Sequence, residues 1–214
     1  MRITLFGGTG KTGQQILKQA LARGHSVHAL VRDPAKLGQQ SEQLTFTQGN
    51  ILDPEAVNQA LSQPADAVAS ALGIFHREPR TELSDGTRNI VQAMERAGVT
   101  RLAVVSSLGA GDSKGQGNFL ARNLQRLLLS HVLDDKDRQE ALIRDSQLDW
   151  TLIRPPQLTD SETIREDVVE WQGPSPKAPK LSWKTSRATV AAFLLDALEQ
   201  GHHSRTAVNI SEPR

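Results

Sequence analysis

The residues best suited to do chemistry stand near the start of the chain, Gly7-Gly8-Thr9-Gly10-Lys11-Thr12-Gly13. Gly8, Gly10 and Gly13 satisfy G-x-G-x-x-G, and Gly7, Gly10 and Gly13 satisfy G-x-x-G-x-x-G. An apolar run at residues 3–6 precedes them, and a helical pattern follows from Gln14. A strand turning sharply into a helix collects free backbone N–H groups and the positive end of a dipole at one point, which suits a pyrophosphate. The turn must be tight, the backbone must approach the ligand, and the helix must pack close on the strand; each task excludes a Cβ. Gly10-Lys11-Thr12 also imitates the end of a P-loop. That motif needs a glycine five residues before Gly10, where Leu5 stands, so the dinucleotide reading prevails.

A second set of residues follows at the spacing a dinucleotide would demand. Arg32 lies nineteen positions beyond Gly13, where a ribose without a 2′-phosphate is usually met by Asp or Glu. With Lys36 one helical turn on, the pair suits a phosphate dianion and favours NADP(H) over NAD(H). Asp33, before Pro34, reads as the start of the next turn. Further along, an adenine ring could rest on Ile51 while Asn50 or a neighbouring amide meets its edge. Leu72 ends the fourth strand beside the cofactor path, and Gly73 lets the backbone run close beneath a cofactor. Ser106 and Pro155 complete the candidate cofactor set; Ser107, Leu108, Pro156 and Gln157, at the carboxyl ends of later strands, are the candidate residues for a second substrate, with Ser107 the candidate catalytic residue.

The elements that must position these groups alternate along the chain. Apolar runs at residues 25–31, 44–48, 67–72, 101–105, 150–154 and 206–210 read as strands. Helical periodicity marks the stretch after Gln14, residues 54–61, 83–97, the Leu120–Leu124–Leu127–Leu128 segment, 134–146 and a last helix capped by Thr185 or Ser186. Residues 74–81 read as an exposed loop, and residues 161–171 as a small extra strand outside the main sheet. Alternation of this kind predicts an α/β fold, a doubly wound, mostly parallel sheet in a single domain over residues 1–214. Substrate-side loops are expected at 108–118 and 155–182. Lys136 and Glu140, one helical turn apart, read as a surface ion pair, with Lys136 turned toward the site as the alternative.

Composition narrows the function. The 25 basic and 24 acidic residues nearly cancel, which argues against nucleic acid or an anionic membrane as partner. There is no cysteine, which removes disulfides, thiolate metal sites and a cysteine nucleophile. The six histidines show no metal spacing. No leader and no apolar run of membrane length is visible, so a cytoplasmic protein, acting as a monomer, is expected. There is no tyrosine, so chemistry that needs a phenolic acid is unavailable.

Gly7 to Gly13 with Leu30-Val31-Arg32-Asp33 resembles the atypical short-chain dehydrogenase/reductases with an NAD(P)-binding Rossmann domain. The segment from Ser84 to Met94, Leu133-Asp134-Asp135 and Pro155-Pro156 resemble more closely the biliverdin reductase B, or NADPH-dependent flavin reductase, type. The resemblance is collinear over nearly the whole chain. It implies NADPH as hydride donor and a flavin (FMN, riboflavin) or a linear tetrapyrrole such as biliverdin as acceptor. It also implies residues 7–13 on the pyrophosphate, Arg32 on the 2′-phosphate and Ser107 beside the nicotinamide. Two positions depart: mammalian members carry histidine where this chain has Gln157, and an aspartate is often found at Asn50. The missing tyrosine separates the chain from ordinary ketoreductases and from sugar epimerases. It leaves a second class open, a non-catalytic NADP(H)-binding, redox-sensing regulator.

Overall fold

Parallel strands covered on both faces by helices are built from nearly continuous apolar residues, and the central strands here follow that rule. The computed structural model describes residues 1–73, 78–116, 130–176 and 180–214. Its main sheet contains β1 (Arg2–Phe6), β2 (Ser26–Val31), β3 (Leu44–Gln48), β4 (Ala67–Ser70), β5 (Arg101–Val105), β6 (Asp149–Arg154), β8 (Val169–Trp171) and β10 (Thr206–Ser211). Their order is β3-β2-β1-β4-β5-β6-β10-β8, parallel throughout except for β8 at the edge. The chain order reverses between β1 and β4, so their carboxyl ends flank the crevice where such sheets take ligands.

Alternate side chains of each strand divide between two cores. On one face, Ile3, Leu5, Ala67 and Ala69 pack against α1 (Lys11–Ala22) and α5 (Arg187–Gln200). On the other, Phe6, Val68, Leu102 and Val104 meet α2 (Pro54–Leu61), α3 (Glu82–Ala97) and α4 (Ser130–Asp145). Asp53 caps α2 by accepting from the Glu55 amide, with Pro54 opening the helix, and Ser186 caps α5 by accepting from the Thr189 amide. At the start of α3 the acceptor comes from elsewhere in the chain. Buried Asp135 of α4 takes the amides of Leu83 and Ser84 at 3.0 and 3.3 Å.

Two parts of the sequence reading are corrected here. The strand expected within residues 161–171 belongs to the main sheet, where Val169–Trp171 runs antiparallel to β10. It joins because Trp171 buries its ring against Leu108 and Leu181 rather than facing solvent. The second sheet is instead β7 (Gln157–Thr159) with β9 (Lys184–Ser186), whose polar residues carry no strand signature. The helix expected around Leu120 to Leu128, and part of the loop at 74–81, lie outside the described residues. Among the described residues, no helix is long and apolar enough to cross a membrane.

Candidate functional site

Gly7 leaves β1 at φ +83°, and a Cβ there would press on the Ala71 carbonyl oxygen at 2.7 Å. A Cβ on Gly13 would overlap the Gly7 carbonyl, so α1 packs onto the turn only because position 13 has no side chain. Gly10 is different. Its φ of −78° suits any residue, it is exposed, and the nearest protein atom to an added Cβ is 3.4 Å away. Nothing inside the protein requires glycine there, so the space it leaves open faces outward. Gly10 is also the N-cap of α1, with no side-chain cap and no acid in the first turn. The helix therefore presents uncapped amides to an anion. These residues fit a pyrophosphate.

The residues expected to meet the adenosine line a cavity of about 610 Å³, walled by Gly7, Gly10, Arg32, Asn50, Ile51 and Gly73 among others, including Leu72 and Arg80. Two other hollows, of about 550 and about 590 Å³, lie along α5 and beside edge strand β3, away from the central strand ends. Size does not separate the three, but the glycine turn and the uncapped helix do. Arg32 is exposed and makes no ion pair among the described residues. Lys36 leans on Asp33 at 3.5 Å, and Asp33 caps the short turn after β2 through the Ala35 amide. Ile51 packs on Gly86 of α3 and its carbonyl accepts from Asn89, a rigid floor. The Asn50 side chain accepts from the Leu52 amide at 3.2 Å, so it shapes its own turn. Within the glycine turn Gly8 is buried on Leu5, and Thr9 and Thr12 are half-buried. Lys11 reaches across to Asp160 at 2.7 Å, and Asp160 also pairs with Arg187. The cofactor turn and the 155–182 loop are thereby tied together.

Behind the acceptor side lies a buried polar network. Lys136 donates to the carbonyls of Leu72 at 3.2 Å and Val105 at 2.9 Å, and to Gln139 at 3.0 Å. Glu140 accepts from the Ser106 hydroxyl at 2.5 Å and forms a two-point pair with Arg154, which also bonds Asp112. The expected surface pair of Lys136 and Glu140 is thus corrected: both are buried, and the partner of Glu140 is Arg154. Ser106, expected on the cofactor, has its hydroxyl on Glu140 and its amide on the Ile153 carbonyl. Ser107 remains half-exposed, its hydroxyl donating to the Leu108 carbonyl at 3.2 Å. The Leu108 amide bonds the Pro155 carbonyl at 2.9 Å, which brings the two acceptor loops side by side. Pro156 is half-buried and Gln157 exposed at the start of β7.

Residues 7–201 match the NAD(P)H-binding family. The chain belongs to this family. Among its relatives, the photosystem II assembly factor Ycf39 of Synechocystis sp. is 29% identical over 158 residues, 72% of this chain and 44% of its own length. The chain thus spans less than half of that relative. A chloroplastic protein of Arabidopsis thaliana is 29% identical over 223 residues, 98% of this chain and 76% of its own. Of solved structures, ChuY, an anaerobillin reductase from Escherichia coli O157:H7, superimposes with a TM-score of 0.82 at 24% identity, covering 100% and 98% of the two chains. A short-chain dehydrogenase/reductase from Veillonella parvula DSM 2008, in complex with NADP, gives 0.78 at 20% identity, covering 99% and 94%. Likeness at those identities establishes the fold.

For a member of the NAD(P)H-binding family, the residues missed in the sequence are the supporting ones. Arg80 lines the same cavity as the glycine turn, from a loop with no periodic signal. The partner of Glu140 lies fourteen residues away on another element, so helical spacing could not find it.

Two tests follow. Gly10→Val should abolish NADPH binding by calorimetry while thermal stability stays near wild type, because the added side chain meets ligand space and not protein. Burial lowers the Lys136 ammonium to about 8 from 10.5, against the opposing pull of Glu140 and Asp135. Between those values the unfolded chain holds more protons, so stability rises with pH; below about 8 the cost of the buried cation is fully present. Urea unfolding should therefore show wild type gaining on Lys136→Met as pH is raised from below to above that value, whereas a constant difference would mean that Lys136 is not buried as a cation.

Proposed function

We propose that the chain is an NADPH-dependent reductase that passes hydride to a planar conjugated acceptor, a flavin such as FMN or riboflavin or a linear tetrapyrrole such as biliverdin. The observation that carries this reading is the contrast along one edge of the sheet. At one end stand a seat for a diphosphate and Arg32, which makes no ion pair among the described residues; at the other stand Ser107, Pro156 and Gln157, with no tyrosine in the chain to act as an acid. A flavin, whose own ring nitrogen takes hydride and whose reduced anion takes its proton from water, needs no acid from the protein; a linear tetrapyrrole would take hydride at a bridging carbon and its proton, likewise from water, on a pyrrole nitrogen.

Each residue then has a bounded task. Residues 7–13 and the start of α1 hold the diphosphate, Arg32 and Lys36 the 2′-phosphate, and Ile51 the adenine, with the turn at Asn50 beside it. Leu72, Gly73 and Pro155 flank the path toward β5 and β6. When bound there, NADPH supplies the hydride. Ser107 orients the reacting rings through a hydroxyl whose present bond, to its neighbour's carbonyl, is easily exchanged. Leu108, Pro156 and Gln157 wall the acceptor. Catalysis in this arrangement is mostly positioning. The second reading, an NADP(H)-binding regulator without turnover, is favoured by the same missing tyrosine and by the serine resting on its own loop.

Steady-state loss of nicotinamide absorbance with FMN, riboflavin or biliverdin separates the two. Turnover well above the protein-free rate supports the reductase, whereas saturable NADPH binding without turnover supports the regulator. Arg32→Ala should weaken NADPH about tenfold or more, the worth of a charged hydrogen bond, and leave NADH nearly unchanged; equal losses would remove the 2′-phosphate assignment. Ser107→Ala should lower turnover with NADPH affinity kept, and a full-speed variant would reduce Ser107 to a loop residue.

A further inference from the structure

We infer that Trp183 is the aromatic platform against which the planar acceptor stacks, and hence a determinant of acceptor specificity; this rests on the reductase reading above. Its place in the fold is the first argument. Trp183 directly precedes β9, and Lys184 pairs in register with Gln157. Its ring packs against the cluster of Leu108, Trp171 and Leu181, and Leu108 follows Ser107 in the chain. Trp183 therefore packs on the cluster that contains Leu108 and lies one residue from the register partner of Gln157, close to both loops assigned to the acceptor.

Its backbone is the second argument. Trp183 has φ +57°, the left-handed region that favours glycine or asparagine and is unusual for a bulky side chain. Strain of this kind gathers where a side chain must be aimed. The turn could be made more easily by a smaller residue, so the indole itself is what this conformation positions.

The third argument is how the ring is held. Trp171 meets it edge to face, with centroids 6.3 Å apart and an interplanar angle of 89°. That geometry leaves at least one face of Trp183 outside the contact, and Trp183 is only half-buried. Trp171 is itself fixed from behind: its Nε1 donates to Gln116 at 2.9 Å, and Gln116 holds Gly173 at 2.7 Å and Ser175 at 3.0 Å. A half-exposed, electron-rich indole seated on a fixed neighbour is suited to offset stacking on a flat, electron-poor ring system, and an oxidised isoalloxazine or a bilin has that chemistry.

The test titrates the NADP⁺-saturated protein with riboflavin, read by flavin fluorescence, and with biliverdin, read by absorbance. In wild type, riboflavin should bind with strong quenching, because a stacked indole donates an electron to the excited flavin. Trp183→Phe should keep affinity within about threefold yet restore much of the fluorescence, and Trp183→Ala should lose about tenfold or more, with NADPH affinity unchanged in both. The KM for the acceptor should rise in Trp183→Ala with kcat largely kept. A merely structural tryptophan would not give the split between affinity and quenching in the Phe variant, and that split decides the matter even if Trp183→Ala fails to fold. If both variants bind and quench as wild type does, the platform is overturned while the reductase reading stands. If wild type binds NADPH but neither riboflavin nor biliverdin, the acceptor reading falls and the platform with it.

Discussion

Two charged side chains one turn apart on α4 hold the carboxyl ends of three neighbouring strands. Lys136 bonds the carbonyls that end β5 and follow β4, while Glu140 holds Ser106 after β5 and Arg154 at the end of β6. Burying these charges is costly, and only the completeness of their bonding offsets it. Taking away one partner would leave an uncompensated charge in the interior, a loss of about 3–5 kcal/mol. Ser107 and Pro155 stand immediately beyond these anchors, so the proposed acceptor side rests on this network. Arg154 extends it further, through Asp112, to the loop that follows Leu108.

The cofactor side is fixed by a different constraint, the lack of side chains. Gly7 lets the turn lie against the backbone that follows β4, and Gly13 lets the helix pack on the turn, contacts that no Cβ could survive, whereas Gly10 is free of any such demand. One motif therefore contains two kinds of glycine, those the fold needs and one that keeps ligand space open. The pairing of Lys11 with Asp160, and of Lys18 with Glu162, then joins this turn to the acceptor loop. Both pairs are exposed and contribute little to stability.

What could be read from the sequence follows from locality. Strand and helix positions were legible because buried parallel strands are apolar runs and the helices carry a periodic face, as with Ile16, Leu17 and Ala20. The glycine turn was legible because its spacing is itself the mechanism. Lys136 and Glu140 were misread because a lysine and a glutamate four apart are usually solvated, and the residue that drew Glu140 inward lies on another strand. β7 and β9 escaped notice because Gln157, Lys184 and Ser186 look like loop. The cap of α3 escaped because Asp135, a distant residue, supplies it. Trp183 carried no sequence signal beyond being a tryptophan; its backbone conformation and its neighbours give it meaning.

Membership in the NAD(P)H-binding family and the fitted glycine cradle point to a dinucleotide as the ligand, and the proposed chemistry is hydride transfer from it. The most direct test is anaerobic rapid mixing of the NADPH-loaded protein with FMN, following the nicotinamide and flavin absorbances together, with NADPH deuterated at the transferring position as the comparison. The account predicts that both signals fall in one phase, slowed by a primary isotope effect. Bound NADPH that leaves the flavin oxidised, or flavin bleaching with no isotope effect, would contradict it.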